Sequence, residues 1–276
     1  MSKNIQLLII DPQVDFCNTN GALYVQGADM DMNRLAALVR SRISDIDDIH
    51  VTLDSHRLVD IAHPIMWVDA LGNPPPPFTI ITTDNLGKPW RTRIDSWMDK
   101  FPDRDFGATD YVNALATNGR YPLCIWPPHC LIGSNGHKVQ PELYEAFVEW
   151  EERFAWVDYV TKGSNLFVEH YSAVMADVQD PKDKNTMLNT DLIGTIRKAD
   201  EIWLAGEALD FCVANTVRDI VANFGGDSMS KFRLITDAMS SVNAPGLEHL
   251  SAAFMDEMRD KGLRCTTTRE LISERS

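Results

Sequence analysis

The chain predicts an α/β fold: three α/β/α layers around a central parallel β-sheet. Three observations lead there. Short apolar runs recur along the sequence and are apolar at consecutive positions, the pattern of strands buried on both faces. Segments with helical spacing lie between most of them, as a parallel sheet covered on both sides requires. The length, 276 residues, is enough to bury a large core of this kind.

The elements follow in order. Ile5–Ile10 is the first predicted strand, and Met32, Leu35, Ala36, Leu38 and Val39 then form one apolar stripe at helical spacing. Ile49–Leu53 is the second strand. From about Leu58 to Leu123 the alternation breaks, with four consecutive prolines (Pro74–Pro77), three tryptophans (Trp67, Trp90, Trp97) and a charged stretch from Lys100 to Asp105. Four prolines in a row exclude helix and central strand. The segment at about 58–123 reads as an elaborated insertion over one edge of the sheet, within a single domain covering 1–276, because its aromatics need a surface to pack on. Tryptophans exposed there would point to a homo-oligomer contact; buried ones would point to packing on the chain's own sheet. Alternation resumes with strands at Trp156–Val160, Ile202–Ala205 and Phe232–Ile235. The helical stripes between and after them are Val213, Thr216, Val217, Ile220 and Val221, then Leu247, Leu250, Phe254 and Met258.

Composition narrows the function. With 40 Asp plus Glu against 26 Lys plus Arg, the formal net charge is −14, and no basic run interrupts it. Nucleic acid and anionic membrane are therefore excluded as main partners, since phosphate binding needs clustered Lys and Arg. No apolar stretch approaches the roughly 20 residues of a membrane span. Met1–Asn4 leads straight into the first strand, which predicts no signal peptide. The five cysteines (Cys17, Cys124, Cys130, Cys212, Cys265) form no CxxC pair and are odd in number, which predicts a reducing, cytoplasmic setting.

Sites in open parallel sheets form beyond the carboxyl ends of the strands. Asp11 directly follows the first strand, Lys162 follows the strand ending at Val160, and Cys212 follows the Leu204-Ala205-Gly206 strand end and opens a helix near Phe211. A thiol at a helix N-terminus faces unpaired N–H groups and the positive end of the helix dipole, which favour thiolate. A nearby ammonium would favour it further, and a nearby carboxylate could take the thiol proton and return it to a leaving group. Each residue also has a plain structural reading: a buried small apolar side chain, a strand-end cap and a solvated loop lysine. Their combination is what points to nucleophilic acyl transfer.

A second cluster has metal-ligand chemistry. In Asp54-Ser55-His56 the carboxylate and imidazole are two apart, so on an extended stretch they project to the same side. His63 lies seven residues on, and His129 sits in Trp126-Pro127-Pro128-His129-Cys130. Asp and His ligands suit one divalent ion, zinc by default, with iron or manganese as the other choices. His50, His137, His170 and His249 show no such clustering and read as surface or packing residues.

Taken together these stretches resemble the isochorismatase-like cysteine hydrolases, and within them the nicotinamidases. The resemblance rests on Leu8-Ile9-Ile10-Asp11-Pro12-Gln13-Val14-Asp15-Phe16-Cys17, on Asp54-Ser55-His56, on Trp126–Cys130, on Thr161-Lys162-Gly163 and on Gly206-Glu207-Ala208-Leu209-Asp210-Phe211-Cys212-Val213. It implies the isochorismatase-like hydrolase fold, with Asp11 as general base and acid, Lys162 as electrostatic partner and Cys212 as nucleophile. It further implies oxyanion donors at the N–H groups of Ala208 and Cys212, a cis peptide at Glu207–Ala208, and a flat substrate ring between Phe16 and Trp126. Asp54, His56 and His129 would hold the metal, with His63 a further ligand or a substrate contact. The family often has Thr and His where this chain has Leu209 and Phe211, and the 58–123 insertion is longer than in small nicotinamidases.

The resemblance implies a small-molecule amide substrate, with nicotinamide going to nicotinic acid and ammonia through a cysteine thioester, as in NAD salvage. The alternative is a related amidohydrolase acting on another small amide or ureido compound with the same three residues. A vinyl ether hydrolase of the isochorismatase type needs no thiol nucleophile, so Cys212 and the metal residues count against it. A catalytically silent scaffold would have lost some of these residues, and all of them are present.

Overall fold

The structure is a computed structural model that describes residues 3–93, 107–224 and 226–274. Trp97 and the charged stretch from Lys100 to Asp105 lie outside the described residues. The strands in chain order are β1 (Ile5–Ile10), β2 (Asp48–Asp54), β3 (Trp67–Val68), β4 (Ile80–Ile81), β5 (Arg91–Thr92), β6 (Leu123–Cys124), β7 (Asp158–Lys162), β8 (Glu201–Gly206), β9 (Phe232–Ile235) and β10 (Arg264–Thr266).

Six of them make one parallel sheet in the order β10-β9-β8-β1-β2-β7. β1 and β8 are its centre and are buried along their whole length, which is why their sequences are apolar on both faces. The helix Ala28–Ser41 packs with Pro141–Glu151 and Thr268–Ser273, while Ala214–Phe224 packs with Thr190–Ile196 and with the turn at Leu209–Val213 that also meets Leu250–Asp260. Two helical layers around one sheet is the three-layer α/β/α fold. The predicted stripe Met32, Leu35, Ala36, Leu38 and Val39 is buried throughout. In the third stripe Leu250, Phe254 and Met258 are buried, whereas Leu247 precedes the helix.

Two sequence expectations need correcting. The strand expected at Trp156–Val160 starts two residues later and ends on Lys162 itself. β7 is the edge of the sheet and is largely exposed, so Trp156 (78% exposed) lies outside the ladder instead of inside a buried strand. Cys212 does not open an α-helix: it lies in a π-helical turn, Leu209–Val213, that feeds the helix Ala214–Phe224.

The segment 58–123 adds two small antiparallel ladders, β3 with β5 and β4 with β6, and the helix Ala108–Thr117. Pro74–Pro77 lie outside helix and strand, as proline's missing N–H requires. Trp67 is fully buried and donates its indole N–H to Ile61 C=O at 2.6 Å, and Trp90 is half-buried against the core. These two tryptophans therefore pack on their own chain.

No helix among the described residues is long and apolar enough to cross a membrane. All five cysteines are unpaired, four of them buried.

Candidate active site

Strand register assembles the site. Ile10 stands opposite Gly206, and Asp54 stands opposite Lys162. The carboxyl ends of β8, β1, β2 and β7 therefore lie side by side. The chain runs from β1 outward through β2 and later returns to the other side of β1 with β8, so β1 and β8 flank the topological switch point. Asp11 and the nucleophile turn sit on the two sides of that point.

Lys162 is the centre of the cluster. Its Nζ lies 2.8 Å from Asp11 Oδ2, 3.2 Å from Asp54 Oδ1 and 3.5 Å from Cys212 Sγ. All four residues are buried. Asp11 has positive φ, and its Oδ1 accepts from the Thr52 hydroxyl, which in turn accepts from Asp11 N–H. Burial opposes the Lys162 charge, but the Asp11 and Asp54 carboxylates outweigh it and hold the amine well above its usual value. Burial pushes Asp11 up against the pull of Lys162, with Asp54 adding to the rise.

Cys212 departs from the expected thiolate. Burial pushes its thiol well above the ordinary value, and Asp11 and Asp54 add to this against Lys162. At rest the sulfur holds its proton beside a carboxylate able to take it. The Glu207–Ala208 peptide is cis, and Val213 N–H bonds back to Ala208 C=O across the π turn.

The residues expected to hold a metal also converge. Asp54, His56 and His129 each offer a ligand atom within 4.8 Å of the others. His56 Nε2 is 3.0 Å and His129 Nε2 is 3.5 Å from Asp54 Oδ2. The opposite ring nitrogens are held by acceptors, His56 Nδ1 by Asp60 at 2.9 Å and His129 Nδ1 by Pro127 C=O at 2.8 Å. Such partners fix the tautomer and turn Nε2 toward the ion. His63 is outside that trio of ligand atoms, but its ring packs at a tilt 5.2 Å from that of His56 and edge-on 5.6 Å from that of His129. Its Nδ1 is 3.2 Å from Leu58 C=O, and its buried Nε2 has no partner. Burial pushes His63 down to about 4, so it is neutral and able to ligate. The donor set of two imidazoles and a carboxylate, with the unpartnered nitrogen of the neighbouring His63 ring beside it, fits a divalent ion.

The motif residues without an assigned role turn out to be braces. Gln13 grips the backbone of Asp54 with both ends of its amide, Nε2 to C=O at 2.8 Å and Oε1 to N–H at 2.7 Å. Asp15 Oδ2 accepts from Cys130 N–H at 2.7 Å, which ties the Trp126–Cys130 loop to the first motif. Gly163 has φ +77°, and a Cβ there would lie 2.5 Å from Asp54 Oδ1.

A small cavity of about 20 Å³ opens at the sulfur, lined by Phe16, Leu23, Trp126, Tyr171, Phe211 and Val242 along with Asp54, His129, Glu169 and Cys212. Phe16 and Trp126 thus both border the site, but a pyridine-sized ring enters only if side chains move. Trp126 meets Phe211 edge-on at 4.9 Å and donates to Tyr171 Oη at 3.1 Å. The insertion backs this cage through Phe78 on Trp126 and Tyr121 on Phe211. A larger cleft lies elsewhere on the surface, around Lys3, Arg42 and Glu201, and holds none of the reactive residues.

Sequence reasoning missed Glu169 and Tyr171 in the cavity wall. Glu169 is buried, one oxygen accepts from His170 N–H, the other has no partner, and burial pushes the carboxyl up to about 8. Neither residue lies in a strand or helix, so no periodicity marks them.

The architecture is that of a known class of solved structures. Over 98% of this chain and 99% of the other, it superposes on a nicotinamidase/pyrazinamidase from Acinetobacter baumanii with a TM-score of 0.65 at 20% identity. Over 95% and 99% of the two chains, it superposes on the yeast nicotinamidase Pnc1p with a TM-score of 0.63 at 17% identity. The isochorismatase-like α/β/α fold expected from the motifs is therefore the fold observed.

In sequence the chain resembles nicotinamidases. It is 30% identical to the Escherichia coli (strain K12) enzyme over 124 residues, 44% of this chain and 49% of the relative. It is 27% identical to the Acinetobacter baylyi enzyme over 154 residues, 55% of this chain and 61% of the relative. The chain thus spans about half to three-fifths of the curated relatives it matches. No family model matches it.

Proposed function

We propose that the chain is a nicotinamidase-like, cysteine-dependent amidohydrolase that converts nicotinamide to nicotinic acid and ammonia. The observation that carries the proposal is the convergence of an acid, an amine and a sulfur on one buried point, with Lys162 Nζ at 2.8 Å from Asp11 and 3.5 Å from Cys212. The relatives named nicotinamidase support it. So do structures of this fold that hold nicotinate (L. infantum) and the inhibitor nicotinaldehyde (yeast).

In this reading Asp11 takes the thiol proton as Cys212 Sγ bonds to the amide carbon, and the carbonyl oxygen becomes an oxyanion. The N–H groups of Ala208 and Cys212 donate to it, a contribution of about 10²–10³ in rate for one such donor. Asp11 passes its proton to the nitrogen, the C–N bond breaks and ammonia leaves. Asp11 then takes a proton from water, the hydroxide attacks the thioester, and the returning proton restores the thiol as the acid departs. Lys162 keeps the acidic proton carrier and the sulfur within reach of each other and offsets the negative charge that passes between them.

Asp54, His56 and His129, with His63, would hold the metal, zinc first and iron or manganese otherwise. Bound there, the ion supplies a Lewis-acidic point for the ring nitrogen or a water. A Pyrococcus horikoshii pyrazinamidase of this fold holds zinc. The aromatic wall of Phe16, Trp126, Tyr171 and Phe211 favours a flat ring over a ureido compound. A cytoplasmic place in NAD salvage agrees with five unpaired cysteines.

The test is ammonia release by zinc-loaded protein from nicotinamide, pyrazinamide, benzamide and a ureido panel. Turnover of nicotinamide is expected. Hydrolysis of a ureido compound with none of nicotinamide would replace this reading by the alternative amidohydrolase.

A further inference from the structure

Glu207 immediately precedes Ala208 in the nucleophile turn, and its side chain takes no part in lining the cavity. It is completely buried. Its backbone N–H donates to Ile10 C=O at 2.8 Å, next to Asp11. Its Oε2 accepts from Ser240 N–H at 3.0 Å, while no N–H or O–H donor reaches Oε1. The carboxyl of Asp31, on the helix Ala28–Ser41, meets it at Ser240, whose N–H goes to Glu207 and whose hydroxyl goes to Asp31. Asp31 already accepts from the Ser240 hydroxyl at 2.6 Å and from the Arg34 guanidinium. Two carboxyl groups brought together out of water on one residue cannot both ionise at ordinary cost. Arg34 balances one negative charge, that of Asp31. The three groups together are thus neutral only if Glu207 is a carboxylic acid.

We propose that Glu207, as a neutral acid bridging Asp31 and the Ser240 loop, is a positioning residue that holds the nucleophile turn in register with the end of β1. The surrounding bonds act on the same loop. Ser240 C=O accepts from Leu209 N–H at 2.8 Å, and Asp210 accepts from Val242 and Asn243 N–H at 3.0 and 2.9 Å. Val242 is part of the cavity wall. A shift of the Ser240 loop would therefore move both the wall and the backbone that carries Ala208 and Cys212. The charged and titratable groups facing Glu207 are Asp31 and Arg34 from the helix, Asp210 from the turn itself and the buried Cys17 thiol from Val14–Cys17. Burial and Asp31 push the Glu207 carboxyl well above its ordinary value, which agrees with the neutral form.

The kinetic arm of the test rests on the amidohydrolase reading; the stability arm does not. Glu207→Gln keeps an uncharged side chain that can accept from Ser240 and donate to Asp31, whereas Glu207→Leu keeps the volume and loses both bonds. With nicotinamide as probe, kcat is expected within about twofold of the parent for Gln, and at least about tenfold lower for Leu with KM little changed. Thermal unfolding read without substrate tests the proton. An acid kept neutral in the fold but ionised when unfolded loses stability as pH rises above its unfolded value. The Gln variant escapes that loss. Its Tm advantage over the parent should grow by on the order of 2–3 °C per pH unit between pH 5 and 8. A pH-independent difference, or a Gln variant as impaired in kcat as Leu, would overturn the proposal. So would a folded Leu variant with parental kcat. If the parent itself releases no ammonia, the amidohydrolase reading fails while the pH-dependent Tm difference still decides the state of Glu207.

Discussion

Replacing Gly163 by alanine should disturb the proposed metal site without replacing any of its ligands. Gly163 follows Lys162 at the end of β7 with φ +77°, and an added Cβ would lie 2.5 Å from Asp54 Oδ1 and 3.3 Å from His56 Cε1. Cβ atoms do not sit closer than 3.0 Å to such neighbours, so Asp54 or the turn must give way. Asp54 has little room: Gln13 holds its backbone at 2.7 and 2.8 Å, and Lys162 and His56 flank its carboxylate at 3.2 and 3.0 Å. The left-handed backbone costs an L-residue about 1–2 kcal/mol, and crowding a packed site costs about 1–3 kcal/mol. Displaced ligand geometry should weaken zinc binding by about 10–100-fold, the usual effect of disturbing the groups around a ligand. Gly262→Ala is the control, since Gly262 has φ +82° but nothing within 4 Å of an added Cβ. Zinc affinity measured by competition with a chelator, with Tm read alongside, separates the two effects. Gly163→Ala binding zinc as tightly as Gly262→Ala would refute the reasoning.

Cys212→Ala should abolish ammonia release and Asp11→Asn nearly so, while both stay folded; measurable turnover by purified Cys212→Ala would exclude the thioester route. His129→Ala should lose the divalent ion on dialysis, read by elemental analysis, because it removes one of three ligand atoms that lie within 4.8 Å of one another. Asp11 must be ionised to take the thiol proton, and burial raises it. Activity should therefore rise with pH through a limb above that of an exposed aspartate, and Lys162, held well above its usual value, should contribute no loss near neutrality. A profile of kcat/KM from pH 4 to 9 that stays flat on its acid side would contradict this. Phe211→Ala should open the cavity wall and lower discrimination between flat aromatic amides and ureido compounds by about tenfold, measured as the ratio of their kcat/KM values.

The central strands, the helical stripes and the strand-end positions of Asp11, Asp54 and Cys212 were legible in the sequence, because each follows from periodicity or from adjacency along the chain. β1 reads as buried since all six of its residues face a helical layer. β7 was misplaced by two residues because an edge strand need not be apolar on both faces, and the exposed Trp156 imitated one. β10, with Arg264 and Cys265 exposed, carries almost no apolar pattern and went unseen. The protonated resting state of Cys212 was also out of reach: sequence shows the neighbours of a helix start, but burial among Asp11 and Asp54 is what raises the thiol. Glu169 and Glu207 mark the same boundary, as ordinary acidic letters until folding brings Glu169 into the cavity wall and sets Glu207 against Asp31, 176 positions earlier in the chain. Local order came from the sequence by itself, since hydrophobic spacing acts over a few residues. The protonation states and the meeting of distant side chains were decided by tertiary structure, since desolvation and Coulomb forces depend only on distance in space.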